Sequence, residues 1–237
     1  MWDARAVHHA LVEGLRLHEA ELASEQAVRG LDSLDELRMH PLLARGLSRE
    51  NWGVLREVPY PVTAGLGSAG NRPKHRERDR CDIVLTPRAG VTLADPVATL
   101  RERDKWQGSL FEAQAQEPAT ELNSRCAPSD AFWLEVKVVG QFAFVHGVPV
   151  ANSAYGSQLT AAFANDLSKL AADAEVHHGA ALLVLFTQDA ETAKHDVTVA
   201  MHRVLDKGFS LRNPIIDSFA ITDRVGNACC TLAMVQP

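Results

Sequence analysis

Two stretches, Cys81-Asp82-Ile83-Val84-Leu85 and, further along, Trp133-Leu134-Glu135-Val136-Lys137-Val138-Val139, set ionic side chains inside otherwise apolar, strand-like segments. A buried charge is costly unless it is paired or binds a metal. An aspartate at the head of one strand and a Glu-x-Lys within another are therefore expected to act together. Side chains alternate between the faces of a strand, so Trp133, Glu135 and Lys137 share one face and Phe132, Leu134, Val136 and Val138 the other. Asp82 opens its strand, where it can lean over Glu135 of a neighbour. Two carboxylates held this way form a hard oxygen site suited to Mg²⁺ or Mn²⁺. Such an ion acidifies a bound water and neutralises charge on phosphoryl oxygens. Lys137, two residues past a ligand, points at the same substrate, where it can place the attacking water or stabilise a pentacoordinate transition state. The chemistry expected is divalent-metal cleavage of a phosphodiester.

Outward from these strands, residues 4–26 read as an amphipathic helix with Val7, Leu11, Leu15 and Leu22 near helical spacing. A second helix is expected over residues 34–47, with Ser33 as its N-cap and Glu36 completing a capping box. Pro41 lies inside that pattern and is expected to kink or divide it. Residues 53–60 alternate as a strand. Residues 62–79 read as a loop, glycine-rich and then charged, and residues 88–130 as an insertion with one short helix near 97–106. After the Glu-x-Lys strand, residues 141–146 continue it or form a hairpin partner, and Pro149, Asn152 and Ser153 mark a loop. A helix is expected over 157–173 on Leu159, Phe163, Leu167 and Leu170. A strand covered on both faces follows over 181–186, then a helix over 190–205 and a hairpin about Gly226-Asn227. Helices alternating with apolar strands argue for an α/β layered domain with a mixed central sheet flanked by helices. The whole chain, 1–237, reads as one domain, with N-terminal helices in 1–50, the insertion 88–130 and a C-terminal helix plus hairpin.

At 46 % hydrophobic residues the composition is that of a globular protein. The longest strongly apolar run, 180–186, is far too short to cross a bilayer, so no membrane partner is expected. Met1 to Arg5 leads straight into a charged helical pattern without secretory regions, and the four cysteines lack metal-ligand spacing. A cytoplasmic location is expected. The net charge of −6 argues against holding nucleic acid by bulk electrostatics. It leaves room for a nuclease, whose site is acidic until its ion arrives.

From Leu34 to Phe186, setting the insertion aside, the chain resembles the PD-(D/E)XK nuclease superfamily. That core runs helix, three strands, helix, strand, in the order read above. The resemblance implies a restriction-endonuclease-like core and Mg²⁺-dependent hydrolysis of DNA, or less often RNA. It places the family's aspartate at Asp82 and its acidic-x-Lys motif at Glu135-Val136-Lys137. It also implies an acidic residue from the first core helix, for which Glu36 is the choice and Glu57 the competitor. Cys81 stands where the family has proline, and the separation from Asp82 to Glu135 is long. Candidate contacts to nucleic acid are Arg72, Lys74, Arg76, Arg78 and Arg80 in the charged run, with Gln141, Gln158 and Lys169. Tyr155 and Gln158 lie near where some members carry a Gln/Tyr pair, without the matching spacing. His40 lies four residues after Glu36 and reads as a surface helix histidine within reach of it. Endonucleolytic cutting is favoured over exonucleolytic, with roles in defence, mobile-element processing or repair. Cutting both strands of a duplex suggests a homodimer, or a subunit of a larger complex. The competing reading is an inactive member serving as a nucleic-acid- or protein-binding module. A carboxylate-pair glycosidase fits less well, because 6 % aromatic residues give little to line a sugar cleft.

Overall fold

A computed structural model of the chain describes residues 2–61, 79–94, 124–145 and 147–237. Helix α1 (Ala4–Ser24) is capped by Asp3, whose carboxylate accepts from the Arg5 and Ala6 amides. Helix α2 (Glu36–Leu47) follows a short 3₁₀ turn (Leu31–Ser33). The N-cap of α2 is Asp35, which accepts from Arg38 N, and not Ser33, whose hydroxyl turns back to Gly30 O. The expected capping box is therefore absent, and Glu36 is released for another partner. Pro41 does not divide α2, which runs through it unbroken.

Strands β1 (Gly53–Pro59) and β2 (Arg80–Thr86) pair antiparallel, and β2 pairs antiparallel with β5 (Phe132–Gly140). Within the expected insertion, β3 (Thr92–Leu93) and β4 (Arg125–Cys126) form a small parallel pair. The helix expected near 97–106 lies outside the described residues. Strands β6 (Phe142–Val145) and β7 (Val148–Ala151) make a separate hairpin, so Pro149 lies in a strand and not in the expected loop.

A helical run over 155–172, called α3 here, opens with Tyr155–Ser157, loosens into a π turn at Gln158–Ala162 and continues as Phe163–Ala172. It crosses from β5 to β8 (His178–Thr187), which pairs parallel with β5, as a strand–helix–strand crossover requires. Helix α4 (Ala190–Leu205) and the antiparallel strands β9 (Ile215–Ala220) and β10 (Cys229–Val235) complete the chain. The sheet is mixed and six-stranded, in the order β1-β2-β5-β8-β10-β9.

Helices cover both faces. Val7, Leu11 and Leu15 of α1 and Met39, Leu43 and Leu47 of α2 pack on Ile83, Leu134, Val136 and Leu182. Leu159, Phe163, Leu167 and Leu170 of α3 and Val197 and Val204 of α4 pack on Val84, Trp133, Leu183 and Leu185. Each fully buried leucine contributes roughly 2 kcal/mol. Strand β8 lies between the two layers and is apolar from Gly179 to Phe186, which contains the covered strand expected over 181–186. Helices α1 and α2 approach so closely that a Cβ on Gly46 would lie 2.8 Å from Ala10 O and 3.1 Å from Gly14 Cα.

Candidate active site

The site forms where two paired strands part. The β2–β5 register runs Leu85–Phe132, Val84–Trp133, Ile83–Leu134 and stops there, one step before Asp82 would meet Glu135. Beyond that point β2 continues with β1 as far as Arg80–Pro59, while β5 continues with β8 as far as Gly140–Phe186. The amides of β5 that have lost their strand partner must be satisfied otherwise. Asp82 Oδ2 accepts from Val136 N at 2.7 Å, and Glu36 Oε2 from Val138 N at 3.4 Å. The same Glu36 oxygen takes the Lys137 ammonium at 2.7 Å. Two of the sequence-chosen acids thus close the open edge of β5, and Asp82, Glu135, Lys137 and Glu36 come together.

The opposite wall comes from α3. Asp166 Oδ1 accepts from Lys169 Nζ at 2.9 Å, and its buried Oδ2 lies 3.9 Å from Lys137 Nζ without a hydrogen-bond partner. Lys169 also lies 3.5 Å from Glu135 Oε2. Glu135 is only 2 % exposed, and its Oε1 accepts from the Tyr60 hydroxyl at 2.5 Å. Tyr60 is stacked on Trp133 at 5.6 Å between ring centroids.

Burial, helped by the charge of Asp82, pushes the Glu135 carboxyl up to about 8. Burial also raises Asp82, against the pull of the Val136 amide and His40. Tyr60 is raised, chiefly by burial, so it stays a hydroxyl donor. For Lys137 and Lys169 burial is the largest influence and works downward. It is outweighed by Glu36 and Asp166 at Lys137, and by Glu135 and Asp166 at Lys169, so both ammonium groups are held charged.

On the other side of Asp82 lies a second grouping. His40 of α2, Glu57 of β1 and Asp82 each offer a ligand atom within 4.8 Å of the other two, so they can hold a metal ion. His40 Nδ1 is 3.7 Å from Glu57 Oε1 and His40 Nε2 is 3.9 Å from Asp82 Oδ1. The β1–β2 pairing skips Glu57 and Asp82, which lie between the Arg56–Ile83 and Val58–Cys81 pairs, and Glu57 sits at φ 54, in the left-handed region unfavourable to a side chain with a Cβ. Arg80, a candidate phosphate contact, donates instead to Glu57 O at 2.7 Å.

His40 is 2 % exposed, not a surface residue, and faces Glu57 and Asp82 while Glu36 turns to Lys137. Gln141 Oε1 accepts from Gln188 N, and Gln158 Oε1 from Asn152 Nδ2, so both serve loop structure away from the acids. Tyr155 is spent on Asp196. Among the described nucleic-acid candidates Lys169 alone joins the acidic group; Arg72, Lys74, Arg76 and Arg78 lie outside the described residues. Sequence reading passed over Tyr60 and offered Asp166 only as one of the polar members of the 157–173 helix that could face the site or the DNA backbone, with a solvated face preferred. The signal for Asp166 and Lys169 was their i,i+3 spacing on one face of α3, and the signal for His40 was its i,i+4 spacing from Glu36. Among the described residues no helix is long and apolar enough to cross a membrane. No protein-family model, curated protein or solved structure matches the chain.

Proposed function

We propose that the chain is a divalent-metal-dependent nuclease that hydrolyses phosphodiester bonds of DNA. The observation that carries this reading is the meeting of Asp82, Glu135 and Lys137 where β2 and β5 part. The order α2-β1-β2-β5-α3-β8, with β1, β2 and β5 antiparallel and β8 parallel to β5, supports a PD-(D/E)XK-type core.

A divalent cation suits the residues present. Five carboxylates (Glu36, Glu57, Asp82, Glu135 and Asp166) face two lysines and one histidine, leaving a surplus of negative charge. His40 Nε2 and Asp166 Oδ2 are buried without hydrogen-bond partners. Asp82 would hold the ion, with Glu135 at its side. When bound, the ion supplies Lewis acidity at a phosphoryl oxygen. The Val136 amide fixes one Asp82 oxygen and leaves Oδ1 to face the site. Tyr60 fixes Glu135 through Oε1, so Oε2 is the oxygen presented to an attacking water. That carboxylate orients the water and takes its proton. Lys137, steadied by Glu36, donates to a non-bridging phosphate oxygen as charge builds in the pentacoordinate transition state.

Supercoiled plasmid tests the reading, incubated with Mg²⁺ or Mn²⁺ and, separately, with EDTA. Metal-dependent nicking is expected, reduced about 10²- to 10³-fold in Lys137→Ala. Nicking at the wild-type rate in both Lys137→Ala and Glu135→Gln would assign the activity elsewhere. Binding of DNA without cleavage under every metal condition would favour a non-catalytic nucleic-acid-binding module.

A further inference from the structure

We infer that His40, Glu57 and Asp82 form a mixed nitrogen–oxygen site that selects a first-row transition ion, Mn²⁺ among them, over Mg²⁺. The inference rests on the reading above, in which Asp82 would hold the ion, and adds His40 and Glu57 as further ligands on the other side of that carboxylate. It stands on three observations. The first is the donor set: one imidazole and two carboxylates, each within 4.8 Å of the others. Ligand atoms about 2.1 Å from a shared ion lie about 3 to 4 Å from one another. The closest approaches, 3.7 Å from His40 Nδ1 to Glu57 Oε1 and 3.9 Å from His40 Nε2 to Asp82 Oδ1, are too long for hydrogen bonds. They involve different ring nitrogens, so an ion takes one of them, and the three ligand atoms, within 4.8 Å of one another, draw in around it.

The second observation is His40 itself. It is buried, and its Nε2 points toward Asp82 without a hydrogen-bond partner. A buried ring nitrogen left in this state is costly, and coordination to a cation removes the cost. The third is Glu57. A glutamate with φ 54 inside a strand is strained by about 1 to 3 kcal/mol. That backbone is held by Arg80 on its carbonyl, and the Glu57 carboxylate lies 3.7 Å from His40, at the step of the β1–β2 pairing that Glu57 and Asp82 leave open.

Imidazole nitrogen is a poor ligand for Mg²⁺, which keeps oxygen donors and waters. It suits the transition ions, for which affinity rises from Mn²⁺ along the first row. Glu36, engaged by Lys137 and the Val138 amide, is excluded from this set and serves Lys137 instead.

The test uses the full chain, freed of metal and titrated with Mn²⁺ alone, with free Mn²⁺ followed by electron paramagnetic resonance. One tight site is expected, with Mn²⁺ held at least tenfold more tightly than competing Mg²⁺. Pulsed measurement of the bound ion is expected to show modulation from a directly coordinated ¹⁴N. His40→Gln is expected to abolish the nitrogen signal and to cost tenfold or more in Mn²⁺ affinity, with Mg²⁺ affinity nearly unchanged. Should His40→Gln fail to fold, the wild-type ¹⁴N signal decides alone. Mn²⁺ bound without nitrogen coupling, or displaced by an equal concentration of Mg²⁺, overturns the inference. Plasmid nicking supported by Mg²⁺ together with absent nitrogen coupling would overturn the ion assignment and leave the nuclease reading standing. Nitrogen-coupled Mn²⁺ with no nicking in any metal would do the reverse.

Discussion

Replacing Glu135 by Gln should make the metal-free protein more stable, and increasingly so as pH rises. Glu135 is 2 % exposed, and its carboxyl is pushed from the usual 4.5 up to about 8, mainly by burial and then by Asp82. An acid whose folded pKa is raised favours the folded state most below its unfolded pKa, and that contribution is lost as pH climbs toward the folded value. Each tenfold change in proton affinity is worth about 1.4 kcal/mol. Between 4.5 and 7 the wild type therefore forfeits about 3 kcal/mol relative to a neutral side chain of the same shape. Gln keeps an oxygen for the Tyr60 hydroxyl and loses the 3.5 Å pairing with Lys169, a partly exposed contact worth about 1 kcal/mol or less. The net expectation at pH 7 is a gain of about 2 kcal/mol. Urea unfolding in EDTA at pH 5, 7 and 8 reads it directly. A Glu135→Gln protein no more stable than wild type at pH 8, or a difference that does not grow from pH 5 to 8, would refute the reasoning.

Three further outcomes follow from the packing and the strain. Gly46→Ala drives a methyl against Ala10 O and Gly14 Cα and should cost about 2 to 3 kcal/mol in urea unfolding, because backbone cannot yield as a side chain can. Burial holds His8 below its usual 6.5, while Leu232 O accepts from its Nε2 at 3.1 Å. It stays neutral in the fold and gains a proton on unfolding, so stability should fall as pH drops through 6.5 toward the lower folded value. That slope, at most about 1.4 kcal/mol per pH unit, should flatten in His8→Gln. Glu57→Gly relieves the left-handed backbone and should leave unfolding free energy within about 1 kcal/mol of wild type. Isothermal titration of the same variant should show Mn²⁺ affinity down tenfold or more.

Much of this architecture was legible because its signals are local and periodic. The faces of α1 and α3, the uninterrupted apolar β8 and the last hairpin each carry a repeat that burial demands. The start of α2 was misread because Ser33 and Asp35 both suit an N-cap, and only the 3₁₀ turn over Leu31–Ser33 decides between them. Within the site, Asp82, Glu135 and Lys137 stood out as charges in apolar strands. Glu57 entered only as the competitor of Glu36 and His40 only as a surface helix histidine, since both look ordinary until β1 and β2 pair on either side of Glu57 and Asp82. Tyr60 carried no local signal at all. Its role comes from a stacking and hydrogen-bonding partnership with β5, made across a long stretch of intervening chain.

The way Asp82 and Glu36 occupy the amides of β5 has a practical corollary for anyone building a dead variant. These side chains stand in for a missing neighbour strand, so truncation tears the scaffold as well as the chemistry. Asp82→Ala would strand the Val136 amide at a cost of about 1 to 3 kcal/mol. Inactivity in such a protein would say little about hydrolysis. Asp82→Asn retains an oxygen to receive that amide and removes only the charge, which makes it the sounder control.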